Sequence, residues 1–327
     1  MTSYNIYGVG NALVDMEYEV SVETLDRLGI DKGVMTLLDE AKQDDVVAAL
    51  ADAKCHRACG GSAANTVVAI AQMGGTGFFS CRTGDDETGA FYRDDLTGFG
   101  INTNAGAKSA GGKTGKCLVL VTPDADRTMN TFLGVSADIA PEDLEAEAIA
   151  SSDYVYVEGY LVSSDSARAT AIRTCELARE AGTKVAFTLS DPNMVKFFKE
   201  GVLEIIGDGV DLLFANEREI LDLAGTESMD DAIAYSKTIA KQFAITLGES
   251  GSIVFDGKAQ HQIKPNPVEA IDTVGAGDMY AGAFLYGITH GQDFPTAGAL
   301  ASRASARVVT KYGPRLSTAE ITELLVA

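Results

Sequence analysis

Basic residues are scarce in this chain of 327 residues: Lys and Arg total 26, whereas Asp and Glu total 47, which gives a formal net charge of −21. Such a surface repels nucleic acid and anionic membranes, so we expect neither as a partner. It also repels anionic substrates at long range. A phosphate site therefore has to be built locally, from backbone amides, a metal ion or a few cations.

Long apolar runs are also missing. No stretch approaches the ~20 apolar residues of a membrane span, and the first ten residues, MTSYNIYGVG, have neither the basic nor the apolar region of a signal peptide. Cysteines are few and scattered: Cys55, Cys59, Cys81, Cys117 and Cys175. That pattern is typical of reduced thiols in a cytoplasmic protein. With three histidines and no second Cys pair, the CHRAC segment at 55–59 gives little support for zinc.

What the chain does have is an alternation of short β-type runs and helical segments, without a linker or repeat. We predict one α/β domain over residues 1–327 with a mainly parallel sheet covered on both faces. The strands are predicted at 4–9, 77–80, 154–157, 184–189, 211–215 and 244–247. The helices are predicted at 63–72, 166–181, 229–241, 278–290, 294–311 and 318–326.

Two regions, about 12–40 and 104–133, break the alternation with further β-type runs and Gly-rich turns. A small inserted β-sheet would form a lid over a cleft and exclude water from a site. A pair of antiparallel edge hairpins is an equal alternative on the sequence alone.

The segment DTVGAGD, 272–278, places a Gly-Ala-Gly turn and one acid at the start of an apolar helix. The first amides of a helix lack partners within it and, with the helix dipole, form an anion site. This arrangement suits a phosphoryl group in transfer, with Asp278 accepting a proton from an incoming hydroxyl. The alternative is an N-terminal acid that only satisfies the dipole.

Three other glycine-rich segments can be compared with known anion sites. GVGNAL, 8–13, has Leu13 where a dinucleotide fingerprint needs glycine, and β-type residues follow. AKSAGGKT, 107–114, has Ala107 in place of the first P-loop glycine and precedes a strand rather than a helix. GGSAAN, 60–65, is a stronger candidate, because its glycines admit a ligand and Asn65 can bind hydroxyls; Ser62 could simply be an N-cap.

GGSAAN and DTVGAGD, about two hundred residues apart, together resemble the two signatures of the ribokinase-like (PfkB) carbohydrate and nucleoside kinases. Three more segments are similar to motifs of that family in the same order: NERE (216–219), TLGESG (246–251) and KYGPR (311–315). The resemblance covers the whole chain. It implies a three-layer α/β/α sandwich with a mainly parallel central sheet, an inserted β-sheet lid and ATP-dependent phosphoryl transfer.

The resemblance assigns roles by position. Asp278 falls on the catalytic base, and the anion hole on the amides of Gly275, Ala276 and Gly277. Mg²⁺ would be held by Glu219 through water, beside Asn216. The expected nucleotide-binding residues are Asn216, Thr246, Gly248, Gly251, Asn266, Val268 and Ser302. A monovalent cation such as K⁺ would use Asp272 and backbone oxygens near Val274, Val308, Lys311 and Gly313.

For the acceptor, the resemblance points to Asp15, Gly61, Asn65 and Glu158, although Glu158 could equally be an acid at a strand end. GNALVD, RTMNTFLG and SDP look more like adenosine-kinase-type members and related bacterial nucleoside or sugar kinases than fructose-phosphate kinases, which need a cationic pocket. Arg127 and Arg82 are the cations near the motifs that could build one. Met279 and Tyr280, after the base, depart from the common family pattern.

The sequence therefore predicts a cytoplasmic kinase that moves the γ-phosphoryl group of ATP to a hydroxymethyl hydroxyl of a sugar or ribonucleoside, with an adenosine-like acceptor favoured. Three alternatives are a kinase of a free sugar such as ribose or fructose, a catalytically silent binding protein of the same fold, and a Rossmann oxidoreductase. The resemblance allows a homodimer paired through the lid or a monomer.

Overall fold

The computed structural model describes residues 3–33, 35–51, 53–104, 111–123 and 127–326. Its strands are β1 (Tyr4–Val9), β2 (Leu13–Glu19), β3 (Met35–Leu37), β4 (Cys55–Cys59), β5 (Gly77–Ser80), β6 (Asn102–Thr103), β7 (Thr114–Val121), β8 (Arg127–Gly134), β9 (Ser152–Glu158), β10 (Lys184–Thr188), β11 (Val210–Asn216), β12 (Ala240–Thr246), β13 (Ser252–Phe255) and β14 (Gln260–Ile263). Its α-helices are α1 (Val22–Leu28), α2 (Glu40–Ala49), α3 (Ser62–Gln72), α4 (Glu87–Gly98), α5 (Ala146–Ala150), α6 (Asp165–Ala181), α7 (Pro192–Ile206), α8 (Glu217–Ala224), α9 (Met229–Ile239), α10 (Ala276–Thr289), α11 (Phe294–Val308) and α12 (Thr318–Val326).

The larger sheet has the strand order β14-β13-β12-β11-β10-β9-β1-β5-β6. Neighbouring strands from β12 to β6 are parallel, and β13 and β14 add an antiparallel edge. Side chains alternate between its faces: Tyr154 and Tyr156 pack in the core that holds α3, α10 and α11, whereas Val155 and Val157 pack in the core that holds α6 and α7. This confirms the predicted three-layer α/β/α sandwich.

Strand β1 lies between β9 and β5, so the chain connections lead away from it in opposite directions. In open α/β sheets the carboxyl ends of the strands form a crevice at such a point. The segments that follow β1 and β9 meet there. This crevice is where the sequence motifs are gathered.

A second sheet has the strand order β3-β8-β7-β2-β4. On one face, Leu118 and Leu120 pack with Leu25 of α1 and Val46 of α2. On the other face, Cys117 and Val119 line the crevice. The predicted inserted sheet is therefore present, and the edge-hairpin alternative is wrong. Of the predicted lid segments, residues 34, 105–110 and 124–126 lie outside the described residues, as do residues 107–110 of the rejected P-loop candidate.

Some predicted boundaries were wrong. The segment 12–40 contains helix α1 besides its strands, and Cys55–Cys59, considered above as a metal-binding pair, is an edge strand of the smaller sheet. The helix predicted at 229–241 ends at Ile239, because Ala240 and Gln242 already pair with β11. The helix predicted at 294–311 ends at Val308.

Within the described residues, no helix is both long and apolar enough to cross a membrane.

Candidate active site

A cavity of about 1000 Å³ lies between the smaller sheet and the carboxyl ends of the larger one. The motifs at both ends of the chain contribute to its wall. Of the predicted site residues, these line it: Asp15, Gly61, Asn65, Glu158, Asn216, Glu219, Thr246, Gly248, Val274, Gly275, Ala276, Gly277, Asp278, Lys311 and Gly313.

The start of helix α10 forms one wall. Gly275 is its N-cap, with φ of +76°, and a Cβ at this position would lie 2.4 Å from Cβ of Pro314. Glycine is therefore required by both conformation and space. Of the three predicted anion-binding amides, that of Ala276 donates to the Thr273 carbonyl at 3.2 Å and so is already engaged in the turn. The amides of Gly275 and Gly277 have no hydrogen-bond partner within the described residues.

Asp278 is the third residue of α10, and both of its carboxylate oxygens accept hydrogen bonds from helix α3. Ser62 Oγ donates to Oδ1 at 2.6 Å, and Asn65 Nδ2 donates to Oδ2 at 3.0 Å. Burial raises the pKa of Asp278 to about 6, and the two hydrogen bonds oppose that rise. Ser62 is thus not an N-cap; Gly61 occupies that position, without a side-chain bond.

Asp15 lies on strand β2, on the face of the smaller sheet that borders the cavity. Its carboxylate has no hydrogen-bond partner among the described residues. Burial raises its pKa to about 7, against the opposing charges of Arg315 and Arg127. Gly61, nearby, has φ of +90°. An unpaired carboxylate in a cavity is suited to bind a hydroxyl-bearing ligand.

Glu158 is completely buried at the end of β9 and is fully engaged by protein groups. Its oxygens accept hydrogen bonds from Asn11 N (2.7 Å), Asn11 Nδ2 (3.0 Å) and Ala63 N (2.8 Å). Burial raises its pKa to about 7. These contacts join the end of β1 to the start of α3. They favour the alternative of a strand-end acid that supports the site rather than a direct acceptor ligand.

The wall around Asp15 is largely apolar. The side chains that form it come from the smaller sheet and from α4 with its C-cap: Leu13, Leu37, Phe91, Phe99, Cys117, Val119, Met129 and Leu133. This subsite therefore combines one carboxylate with an extended apolar surface.

Every Lys and Arg side chain that lines the cavity in the described structure is paired with a carboxylate. The pairs are Arg57–Glu87 (3.0 Å), Lys311–Glu320 (2.7 Å), Arg315–Asp95 (2.6 Å) and Arg127 with both Glu17 and Asp272. Arg82 is not at the cavity; it pairs with Asp143 at 3.2 Å and donates to the Asp138 carbonyl. Neither arginine singled out above offers free charge to an acceptor phosphate.

The predicted nucleotide residues separate into two groups. Asn216, Thr246 and Gly248 line the cavity at the ends of β11 and β12. Four others are absent from its wall. The Gly251 N–H donates to the Gly248 carbonyl at 3.2 Å, and the Ile263 carbonyl leaves no room for a side chain at position 251. Asn266 Nδ2 donates to Ser302 Oγ at 3.0 Å, and Val268 is 48% exposed.

Asn216 and Glu219 form a capping box at the start of α8. The Asn216 backbone N–H donates to Glu219 Oε2 at 2.8 Å, and Asn216 Nδ2 donates to Oε1 at 2.8 Å. Burial raises the pKa of Glu219 to about 7. One carboxylate and one amide are too few for an all-protein cage, but they fit Mg²⁺, which keeps waters and phosphate oxygens as ligands.

The region predicted for a monovalent cation is held together by hydrogen bonds and an ion pair. Asp272 accepts hydrogen bonds from the backbone N–H groups of Val274 (3.1 Å) and Gly313 (3.0 Å) and pairs with Arg127. The Val308 carbonyl accepts from Lys311 N at 3.4 Å. Because Arg127 compensates the charge of Asp272, this carboxylate is not free to act as an anionic ligand of K⁺.

Met279 and Tyr280 are both buried but differ in role. Met279 packs in the core and does not reach the cavity. Tyr280 lines the cavity, its hydroxyl lies 2.7 Å from Ser252 Oγ, and its ring stacks on Phe284. Tyr280 therefore helps to shape the wall near the nucleotide residues.

Comparisons with known proteins agree with this geometry. Residues 35–321 match the model of the pfkB family carbohydrate kinases. The chain is 28% identical over 239 residues to a probable fructokinase-4 from Arabidopsis thaliana, covering 70% of this chain and 72% of that one. It is also 28% identical to a ribokinase from Staphylococcus aureus (strain COL), covering 79% and 84%.

Two solved structures are similar over nearly the whole chain. A probable sugar kinase from Rhizobium etli CFN 42 has a TM-score of 0.89 and 30% identity, covering 100% of this chain and 99% of that one. An adenosine kinase from Sinorhizobium meliloti has a TM-score of 0.88 and 32% identity, covering 99% and 100%. Kinases of this type use ATP with a divalent metal, generally Mg²⁺. The chain belongs to the pfkB family and is a sugar or nucleoside kinase.

Proposed function

We propose that this kinase transfers the γ-phosphoryl group of ATP to a hydroxymethyl hydroxyl of a ribonucleoside, with an adenosine-like acceptor preferred and Asp278 as the general base. One observation carries the proposal: Asp278, at a helix start with unpaired amides, lines the same cavity as Asp15 and its apolar wall.

In the proposed reaction, the acceptor hydroxyl oxygen forms a bond to the γ-phosphorus, the bond from that phosphorus to the β–γ bridging oxygen breaks, and ADP leaves. Asp278 accepts the hydroxyl proton. With a pKa of about 6 it is mostly ionised at pH 7, as a base must be. The amides of Gly275 and Gly277 would bind the negative charge of the group in transfer.

Mg²⁺ would have a role separate from those of Asp278 and the two amides. When bound with ATP, Mg²⁺ neutralises phosphate charge, and Asn216 and Glu219 would hold it through water. Thr246 and Gly248 would lie against the nucleotide. K⁺ is not part of the proposal, because Arg127 already compensates Asp272.

The acceptor class rests on the chemistry of the subsite. A carboxylate such as Asp15 can accept hydrogen bonds from two neighbouring hydroxyls, as on ribose. The apolar wall around it would bury a nucleobase, whose faces are poorly solvated. The paired cations leave little charge for an acceptor that carries a phosphate. The adenosine kinase relative from Sinorhizobium meliloti supports the same choice.

A free sugar such as ribose or fructose is the second candidate, because the fructokinase and ribokinase relatives favour it. A coupled assay of ADP release over ribonucleosides, ribose and fructose decides between them, with adenosine tried first. We expect the highest kcat/KM with a ribonucleoside. A higher value with ribose or fructose would replace the acceptor assignment. Tight binding without ADP release from any acceptor would indicate a silent binding protein.

A further inference from the structure

The loop between α11 and α12 touches both signature motifs. Gly313 N–H donates to Asp272, and Pro314 packs against Gly275. The resemblance places Lys311 and Gly313 of this segment at the expected cation site. Arg315, its last residue, instead reaches the acceptor side, where it meets helix α3.

Two edges of the Arg315 guanidinium are occupied. Nε donates to Asn65 Oδ1 at 2.8 Å, and Nη1 donates to Asp95 Oδ2 at 2.6 Å. The guanidinium lies over the Phe99 ring, with its central carbon 5.9 Å from the ring centroid, and the side chain is 13% exposed. A planar group held by two hydrogen bonds and a ring has little freedom to turn.

The bond to Arg315 determines which end of the Asn65 amide faces Asp278. An amide has one accepting oxygen and one donating nitrogen. While Arg315 holds the oxygen, the nitrogen is directed at Asp278 Oδ2, 3.0 Å away. If the amide turned over, its oxygen would face the carboxylate, and the two acceptors would repel each other.

We propose that Arg315 is a positioning residue that keeps the Asn65 amide in the one orientation that donates to Asp278, and so links the acceptor subsite to the base. Its effect on catalysis rests on the function proposed above. The structural part stands independently, because it concerns the contact between Asn65 and Asp278 in the protein itself.

The kinetic test compares Arg315→Met, Asn65→Ala and the double variant with Arg307→Met as control. Arg307 is 51% exposed, pairs with Glu320 and Glu323 on α12, and does not line the cavity. We expect Arg315→Met to lower kcat roughly 10- to 100-fold, the scale of a displaced reacting group, with the KM for ATP nearly unchanged. Because the Arg315 charge also lowers the pKa of Asp278 directly, kcat is compared at pH 8 and saturating acceptor, where Asp278 is ionised in every variant. Under these conditions the same substitution should have little further effect in the Asn65→Ala background, because the orientation of Asn65 is the remaining route by which Arg315 acts.

Additive losses in the double variant would overturn the proposal. So would full recovery of kcat in Arg315→Lys, since a lysine supplies the charge without the planar pair of donors. Partial recovery supports the orientation role. Wild-type kcat in Arg315→Met overturns it.

Neutron crystal structures of Arg315→Met and Arg307→Met, in which the amide hydrogens of Asn65 identify its nitrogen, give a readout that does not need activity. We expect the contact between Asn65 and Asp278 to be lost or split between two conformers in the first and kept in the second. An unchanged contact in Arg315→Met would overturn the proposal. If the wild-type protein phosphorylates no acceptor, the proposed function fails, while this comparison still decides the role of Arg315.

Discussion

Ser62 and Asp278, which are 216 residues apart in the chain, are joined by a 2.6 Å hydrogen bond between Oγ and Oδ1. This bond connects the GGSAAN segment to the DTVGAGD segment at the mouth of α10. Because the Ser62 hydroxyl stabilises the ionised carboxylate, it lowers the pKa of Asp278 and extends the pH range in which Asp278 can act as a base.

We expect kcat of the wild-type enzyme to rise with pH through about 6, the pKa of Asp278, because only the ionised carboxylate accepts a proton. Ser62→Ala removes a bond that lowers this pKa, so the acidic limb of the profile should move to higher pH. The loss should be largest below pH 6 and smaller at pH 8. Asp15 and Glu158 also have raised pKa values, but the substitution leaves them in place.

The measurement is the kcat–pH profile of both proteins. Ser236→Ala is the matched control: Ser236 is also buried, and its Oγ donates to the Ala232 carbonyl on α9, far from the cavity. If the acidic limb of the profile lies at the same pH in Ser62→Ala as in the wild type, Asp278 is not the group whose ionisation controls it.

Asp15→Ala should weaken acceptor binding. Loss of one or two charge-assisted hydrogen bonds corresponds to a rise in acceptor KM of about tenfold to several hundredfold. The KM for ATP should change little, because Asp15 lies on the smaller sheet, away from Asn216 and Thr246. Initial rates with each substrate varied give both values. Glu176→Ala, which removes an exposed partner of Arg173 on α6, serves as control, because neither residue lines the cavity. If Asp15→Ala lost affinity for ATP and kept its affinity for the acceptor, the two substrates would be assigned to the wrong ends of the cavity.

Gly275→Ala and Gly277→Ala should differ in stability although both change the same turn. A Cβ at Gly275 meets Pro314 at 2.4 Å in a left-handed conformation, whereas a Cβ at Gly277 meets nothing within 4 Å. Strain and overpacking at position 275 should cost about 2–4 kcal/mol, or about 3–6 °C in Tm. Gly277→Ala should keep its Tm but lose activity, because the added methyl group would crowd the phosphoryl group at the amide of residue 277. Scanning calorimetry checks this; equal Tm values would contradict the packing assigned to Gly275.

The smaller sheet is expected to close over a bound acceptor. Hydrogen exchange with and without adenosine should show added protection in β2, β7 and β8, and none in α9, which is remote from the cavity. Protection confined to residues 210–315 would mean that this sheet is a fixed wall and not a lid.

Much of the larger sheet was predictable from sequence, because a buried parallel strand between helices leaves an apolar run bounded by turns. Strand Tyr4–Val9 was predicted at its observed bounds. Strand Cys55–Cys59 was missed, because an edge strand with His and Arg on it has no such run. The start of β12 at Ala240 was missed for a similar reason, since Lys241 and Gln242 interrupt the pattern.

The candidate site was predictable in its motifs but not in its internal contacts. Asp278 and Asn65 were singled out by their glycine-rich surroundings. The roles of Ser62 and Arg315 depend on residues more than two hundred positions away, which no local pattern encodes. The N–H of Ala276 is used by a turn that the glycine spacing alone does not specify. Arg315 belongs to the segment KYGPR, which was compared with a family motif. A basic side chain directly after a Gly-Pro pair was the sequence feature that could have pointed to it as a site residue.

The most direct test of the account is kcat for Asp278→Asn, measured with both KM values in a preparation whose Tm matches the wild type. Asparagine keeps the size and nearly the shape of the side chain but cannot accept the proton. Base catalysis is worth about 10²–10⁴-fold, or roughly 3–5 kcal/mol, so we predict a loss of kcat in that range with both affinities changed much less. A variant that retains more than about a tenth of wild-type kcat, with chemistry rate-limiting, would contradict the account and leave Asp278 as an acid that only satisfies the helix dipole.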